Sequence, residues 1–224
     1  MIIAIASSTQ RGLLLKDLLK NLKGYQIHLI EDKDSLSVDN LNKIKPKYVF
    51  FPHWSHIIPK EIYENFECVI FHMTDLPFGR GGSPLQNLIT RKIYETQISA
   101  LRCTKGLDEG PVYIKKPFSL YGSAEEIYIR ALRTIKDEIV EITSKSLKPQ
   151  EQKGVPEIFE RRKPNQSDIS NLENLEGIFD YIRMLDADGY PKAFIEKNKI
   201  KLEFSRASLK TDSIIADVKI TIKK

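Results

Sequence analysis

Cysteine is scarce in this chain: two in 224 residues, Cys68 and Cys103, each inside an apolar, strand-like run. That excludes a disulfide-stapled secreted scaffold, and both are expected as small core residues in a reducing compartment. Long apolar runs are missing as well; none approaches the roughly 20 residues a membrane span needs. The opening MIIAIASST is short and lacks the basic segment of a signal peptide. A cytoplasmic protein is therefore expected, with no membrane partner. The first strand–turn–helix carries neither a dinucleotide glycine fingerprint nor a P-loop lysine, which argues against a nicotinamide or triphosphate site. Internal repeats and low-complexity segments are absent too.

What is present reads as globular: 41% hydrophobic and 29% charged residues. The length holds one sizeable domain plus a small appendage. A net charge of +5 is modest, and apart from Arg161-Arg162-Lys163 and a lysine-rich tail the basic residues are scattered. Such a chain suits a phosphate-bearing substrate, small or large.

Taken in order, Ile2 to Ala6 is an apolar run followed by leucines 14, 15, 18, 19 and 22 at helical period, with Gly24 as the stop. This is how a doubly wound domain begins. Ser8, Thr9 and Arg11, at that helix start, are candidates for an anionic part of a substrate. Tyr25 to Ile30 and Tyr48 to Phe51 are further strands, with a polar helix at 34–44 between them. Strands at 96–104 and 111–118 follow, then a helix opened by the capping box of Ser123 and Glu126. The polar, turn-rich stretch 148–156 is taken as a boundary. Beyond it stand one helix, 175–185, and short alternating runs at 193–195, 200–204 and 214–222. The expectation is a Rossmann-like, mostly parallel α/β domain over 1–148 and a small β-rich subdomain over 149–224.

Chemistry concentrates at 68–88. Cys68 to Phe71 reads as a buried strand, ending at His72 above a loop with Pro77, Gly79, Arg80, Gly81, Gly82 and Pro84. In open α/β sheets ligands bind at the carboxyl edge. A second stretch, Pro52-His53-Trp54-Ser55-His56-Ile57-Ile58-Pro59, also follows a strand end and faces the same crevice. His53, His56 and His72 lack a carboxylate or thiolate at ligand spacing, so no metal is expected.

The order His72, Leu76-Pro77, Arg80-Gly81, Pro84 resembles the signature loop of the folate-dependent formyltransferases. Gly106-Leu107-Asp108-Glu109-Gly110 resembles the aspartate loop of the same family. The stretches RRKPNQSDI and FDYIRMLDADGYPKAF are similar to its carboxyl-terminal region, so the resemblance spans nearly the whole chain. It implies formyl transfer from 10-formyltetrahydrofolate to an amine, with His72 and Asp108 as catalytic residues. It further implies folate contacts from Trp54, Ile57, Phe78, Arg80, Gly81, Gly106 and Leu107, and a substrate contact from Thr74. The family's oxyanion-donating Asn falls at Ile70. Either the site is degenerate, a catalytically dead folate-binding scaffold, or another donor has moved in; His53 is the nearest polar candidate by sequence order.

On the acceptor, the block GRGGSPLQNLI and the GYPKAF stretch look most like the amino-sugar branch, and FHMTDLP is similar to formyltransferases of pseudaminic acid biosynthesis. The short carboxyl-terminal segment leaves little room for a tRNA-binding domain. The expected partner is thus a nucleotide-linked amino sugar rather than nucleic acid, with a homodimer allowed. The alternative is an aminoacyl group on tRNA or on a peptidyl carrier.

Overall fold

The computed structural model describes residues Met1 to Lys223. The chain begins β1 (Ile2–Ala6), α1 (Arg11–Leu19), β2 (Gln26–Ile30), α2 (Val38–Ile44), β3 (Tyr48–Phe51), α3 (Lys60–Tyr63) and β4 (Cys68–His72). It continues with β5 (Arg80–Gly81), α4 (Pro84–Thr90), β6 (Glu95–Arg102), β7 (Val112–Ser119), α5 (Ala124–Lys145) and β8 (Ile158–Phe159). Last come α6 (Leu175–Met184), β9 (Ala193–Lys197), β10 (Ile200–Leu209) and β11 (Ile214–Ile222). Two compact units form. The first takes in 1–81, 96–118 and 129–158; the second takes in 82–95, 119–128 and the chain from Phe159 onward.

The first unit is built on a six-stranded sheet in the order β2-β1-β3-β4-β6-β7. β2, β1, β3 and β4 run parallel, and β6 turns antiparallel against β4. Continuous apolar runs make these strands: Ile3, Ala4, Ile5, Val49, Phe50, Cys68 and Val69 are all fully enclosed, the pattern of strands covered on both faces. Each such Ile, Val or Phe contributes about 1.5–3 kcal/mol by leaving water. His72 closes β4 opposite Ser99 of β6, so it stands at the carboxyl edge of the parallel strands.

Helix boundaries follow their caps. The Ser37 hydroxyl accepts the Asn40 N–H at 3.2 Å, which starts α2 at Val38 rather than at the acidic residues before it. The Ser123–Glu126 capping box forms in both directions: Glu126 Oε2 accepts the Ser123 N–H at 2.7 Å, and the Ser123 hydroxyl accepts the Glu126 N–H at 3.3 Å. One expectation fails in detail. α1 stops at Leu19, short of Gly24; within it Leu14 and Leu18 stay exposed and, of its leucines, only Leu15 and Leu19 reach the core. The buried leucine stripe is narrower than the leucine count.

The second unit holds α4, α6 and a three-stranded antiparallel sheet, β11-β10-β9. α6 is capped by Asn174, whose Oδ1 accepts the Gly177 N–H at 2.7 Å, and packs on β10 and α4. Arg183 of α6 pairs with Asp180 at 2.7 Å and donates to the Leu120 and Gly122 carbonyls at 2.6 and 2.9 Å. A buried charge held this way keeps both an opposite charge and backbone acceptors. No helix among the described residues is long and apolar enough to cross a membrane.

α5 hides a group at odds with its surroundings. Ile135, Ile139 and Ile142 line its buried stripe, and Glu138 lies fully enclosed among them, with neither carboxyl oxygen hydrogen-bonded. Burial raises its pKa well above the ordinary 4.5; Lys116 opposes the rise, and Glu141 and Asp137 add to it. The folded chain therefore keeps a proton that the unfolded chain releases, so the contribution of Glu138 to stability is greatest below about pH 4.5 and falls as pH rises toward the raised folded value. Glu138→Met should add about 1–3 kcal/mol near pH 8 by removing an unsatisfied buried group. Melting curves from pH 4 to 9 check this, since the variant should lose that part of the wild-type pH slope.

Candidate active site

His72 and Asp108 meet although 36 positions separate them in the chain. The ring is 7% exposed and the aspartate 8%, and His72 Nδ1 lies 3.4 Å from Asp108 Oδ2. On the ring's other side Nε2 is 2.7 Å from the Gly79 carbonyl oxygen. A carbonyl only accepts, so Nε2 carries a proton in this arrangement. A second proton, on Nδ1, would be directed at the Asp108 carboxylate. Both ring nitrogens thus face protein acceptors, so general acid–base work by His72 requires one of them to turn from its partner toward substrate.

The loops that hold this pair depend on particular glycines. Asp108 Oδ2 also accepts the Gly81 N–H at 2.9 Å, and Gly81 sits at φ +107°, a conformation other residues rarely adopt. At Gly110 a Cβ would lie 1.8 Å from the Arg102 carbonyl oxygen, so the aspartate loop passes β6 too closely for any side chain. Asp108 itself is left-handed, φ +52°, a strain that aspartate tolerates better than most residues.

Other residues expected at the site are placed as follows. Arg80 does not reach into open space: its Nε and Nη2 donate to Gln152 Oε1 at 3.1 and 2.9 Å, and its Nη1 is 3.6 Å from Glu109 Oε1. Thr74 is fully buried, its carbonyl accepting the Ser99 hydroxyl at 2.7 Å. Ile57 and Leu107 are 90% and 68% exposed, leaving bare apolar surface beside the two loops that carry them. Phe78 is half-buried and Gly106 borders Glu109. Trp54 packs edge-on to Phe51 at 5.8 Å and to His56 at 5.4 Å, with its Nε1–H enclosed and without a hydrogen-bond partner among the described residues.

Ile70, two residues before His72 on the same strand face, joins an apolar cluster with Phe51, Trp54, Ile58, Cys68 and Cys103. No polar group occupies its position. His53 follows β3 in a left-handed conformation, φ +53°. Its carbonyl accepts the Ser8 hydroxyl at 3.3 Å, and Ser8 also bonds Ser55 at 2.9 Å. Burial, with the charge of Arg11, pushes its pKa down to about 4, so near neutrality His53 is an uncharged imidazole. Ser8, Arg11 and His53 therefore gather where β1 and β3 end, while Thr9 is exposed. Both cysteines are buried and free. Burial, aided by the charge of Asp108, raises the Cys103 thiol to about 11, and Cys68 is raised further; neither is a nucleophile.

Sequence reasoning missed Gln152. It lies in the stretch read as a boundary, yet that stretch is part of the first unit: Gln150 bridges Val112 with two backbone bonds, at 2.7 and 2.8 Å. Gln152 Nε2 donates to the Asp108 and Gly110 carbonyls, each at 2.8 Å. The only sequence signal was a polar run too rich in amide side chains for a plain linker.

Comparison with known proteins places the chain. Residues 164–221 match the family pattern described as the methionyl-tRNA formyltransferase C-terminal domain. A solved methionyl-tRNA formyltransferase from Clostridium thermocellum is 52% identical, with 99% of each chain covered and a TM-score of 0.96. A methionyl-tRNA formyltransferase from Wolbachia pipientis is 28% identical over 185 residues, 76% of this chain and 58% of that one. The chain spans between 26% and 58% of the first curated relatives it matches. By contrast, a Shewanella sugar N-formyltransferase is only 14% identical, with 95% and 99% of the chains covered and a TM-score of 0.71, which shows the shared fold alone. These findings overturn the amino-sugar acceptor, and with it the partner set that excluded nucleic acid. The argument from a short carboxyl-terminal segment also fails, because the Clostridium chain is covered almost entirely. A 52% identity along the whole length, together with a histidine–aspartate pair at the sheet edge, gives the conclusion that this chain belongs to the formyltransferase family that includes methionyl-tRNA formyltransferase.

Proposed function

We propose that the chain moves a formyl group from 10-formyltetrahydrofolate to the amine of a methionyl group carried on tRNA. The observation that carries this reading is the 52% identity, end to end, to the Clostridium enzyme of that name. The reaction asks for a neutral amine, a donor for the oxygen that becomes negative as nitrogen bonds to the formyl carbon, and a path for one proton from that amine to the departing folate nitrogen. His72, held by Asp108, is suited to the proton path. Trp54, Ile57 and Leu107 offer flat or bare apolar surface of the kind a pteridine ring needs. Two enclosed thiols fit a reducing, cytoplasmic setting.

One observation favours a second reading. Ile70 is apolar and packed into the core cluster where the family's oxyanion donor would stand, so a folate-binding scaffold without turnover is the competing account. Release of tetrahydrofolate, measured with methionyl-tRNA, uncharged tRNA and a nucleotide amino sugar in parallel, separates these. Turnover is expected with methionyl-tRNA alone. Folate binding by calorimetry with no turnover on any amine would establish the scaffold instead.

A further inference from the structure

Gln152 uses both ends of its amide within the first unit. Its Oε1 accepts twice from Arg80, at 3.1 and 2.9 Å, and its Nε2 donates to the carbonyls of Asp108 and Gly110, at 2.8 Å each. The orientation of the amide follows from its partners, since a guanidinium offers only donors and carbonyls only acceptors. No other side chain satisfies all four. Glutamate would set a carboxylate oxygen against two carbonyls, asparagine is one methylene short, and methionine has the length without the bonds. The bracket lies where the loop needs support: Asp108 is left-handed, and Gly110 is pressed against the Arg102 carbonyl.

We propose that Gln152 is a positioning residue for the His72–Asp108 pair, fixing the aspartate-loop backbone so that the Asp108 carboxylate faces the His72 ring. It touches neither ring nor reacting atoms; it acts through Asp108. The catalytic part of the inference rests on the formyl-transfer reading, whereas the positioning part does not. A support of this kind matters because displacement of a catalytic group by about 1 Å can cost ~100-fold in rate.

Gln152→Met removes the four bonds and keeps the volume. Two measurements decide. The first is the set of ring chemical shifts of His72 by NMR in the free protein, with Asp108→Asn as reference. These shifts report the carboxylate that faces Nδ1 at 3.4 Å, so Asp108→Asn should move them and Gln152→Met should move them part of the way, with a small change in melting temperature. The second is turnover: kcat should fall about 10- to 100-fold with KM for folate little changed, and Gln152→Met should add little in an Asp108→Asn background. If Gln152→Met does not fold, Gln152→Asn carries the same measurements. His72 ring shifts that move in Asp108→Asn but not in the Gln152 variant overturn the proposal, as do additive rate losses. Absence of turnover in the wild-type chain would instead overturn the formyl-transfer reading, and the NMR result would still decide the role of Gln152.

Discussion

His72→Asn is expected to lower formyl transfer by about 10²–10⁴-fold while leaving folate and acceptor affinity nearly unchanged. The expectation comes from what the ring does that no amide can. Its Nε2 donates to the Gly79 carbonyl at 2.7 Å while Nδ1 stands 3.4 Å from the Asp108 carboxylate, so once either nitrogen turns to substrate the ring can give up or take a proton there while the other nitrogen stays held. Asparagine supplies the donor and not the relay. An interaction made mainly in the transition state shows in kcat, not in binding. Asp108→Asn should act through the same ring, leaving His72 without the carboxylate that faces its Nδ1. The double variant should therefore be little worse than the worse single one. Were His72 only a buried structural histidine, the melting temperature would fall, activity per folded molecule would hold, and the two losses would add. Measuring kcat, KM and melting temperature for both single variants and the double settles which account is right.

Most of the parallel sheet was legible because burial on both faces leaves uninterrupted apolar runs; Ile2–Ala6 and Tyr48–Phe51 were read to the residue. The edge position of His72 followed from the same pattern. Its meeting with Asp108 came from resemblance, since no periodicity links residues 36 positions apart. Gln152 was illegible for a physical reason: its contribution is four hydrogen bonds, and polar contacts leave no hydrophobic period behind. The second unit was equally hard to see, because it gathers 82–95 and 119–128 to the carboxyl-terminal part of the chain, and such long-range pairing is not written in local composition. The acceptor was misread because chain length and three short blocks, GRGGSPLQNLI, GYPKAF and FHMTDLP, were weighed above likeness along the full length.

His53→Ala is expected to lower turnover by about 10²–10³-fold, the usual cost of one lost oxyanion donor, with folate affinity little changed. Ile70 cannot donate, and its side chain belongs to the apolar cluster of Phe51, Trp54 and Cys103. If the chain turns over, its donor comes from elsewhere. His53 stands past the end of β3, the strand paired with β4, and burial with the charge of Arg11 keeps its imidazole neutral near pH 7, its pKa being about 4. A neutral imidazole N–H can stabilise a developing negative charge without giving up its proton. The backbone complicates a simple truncation, because His53 is left-handed at φ +53° and its carbonyl holds Ser8. His53→Asn is the control, since asparagine accepts that conformation and keeps an N–H donor; it should retain more activity than His53→Ala at a similar melting temperature. The decisive combination adds Ile70→Asn to His53→Ala, putting the family's own donor back on β4. Recovery of turnover would show that the donor had been relocated to His53. Turnover near wild type in His53→Ala alone would remove that residue from the mechanism.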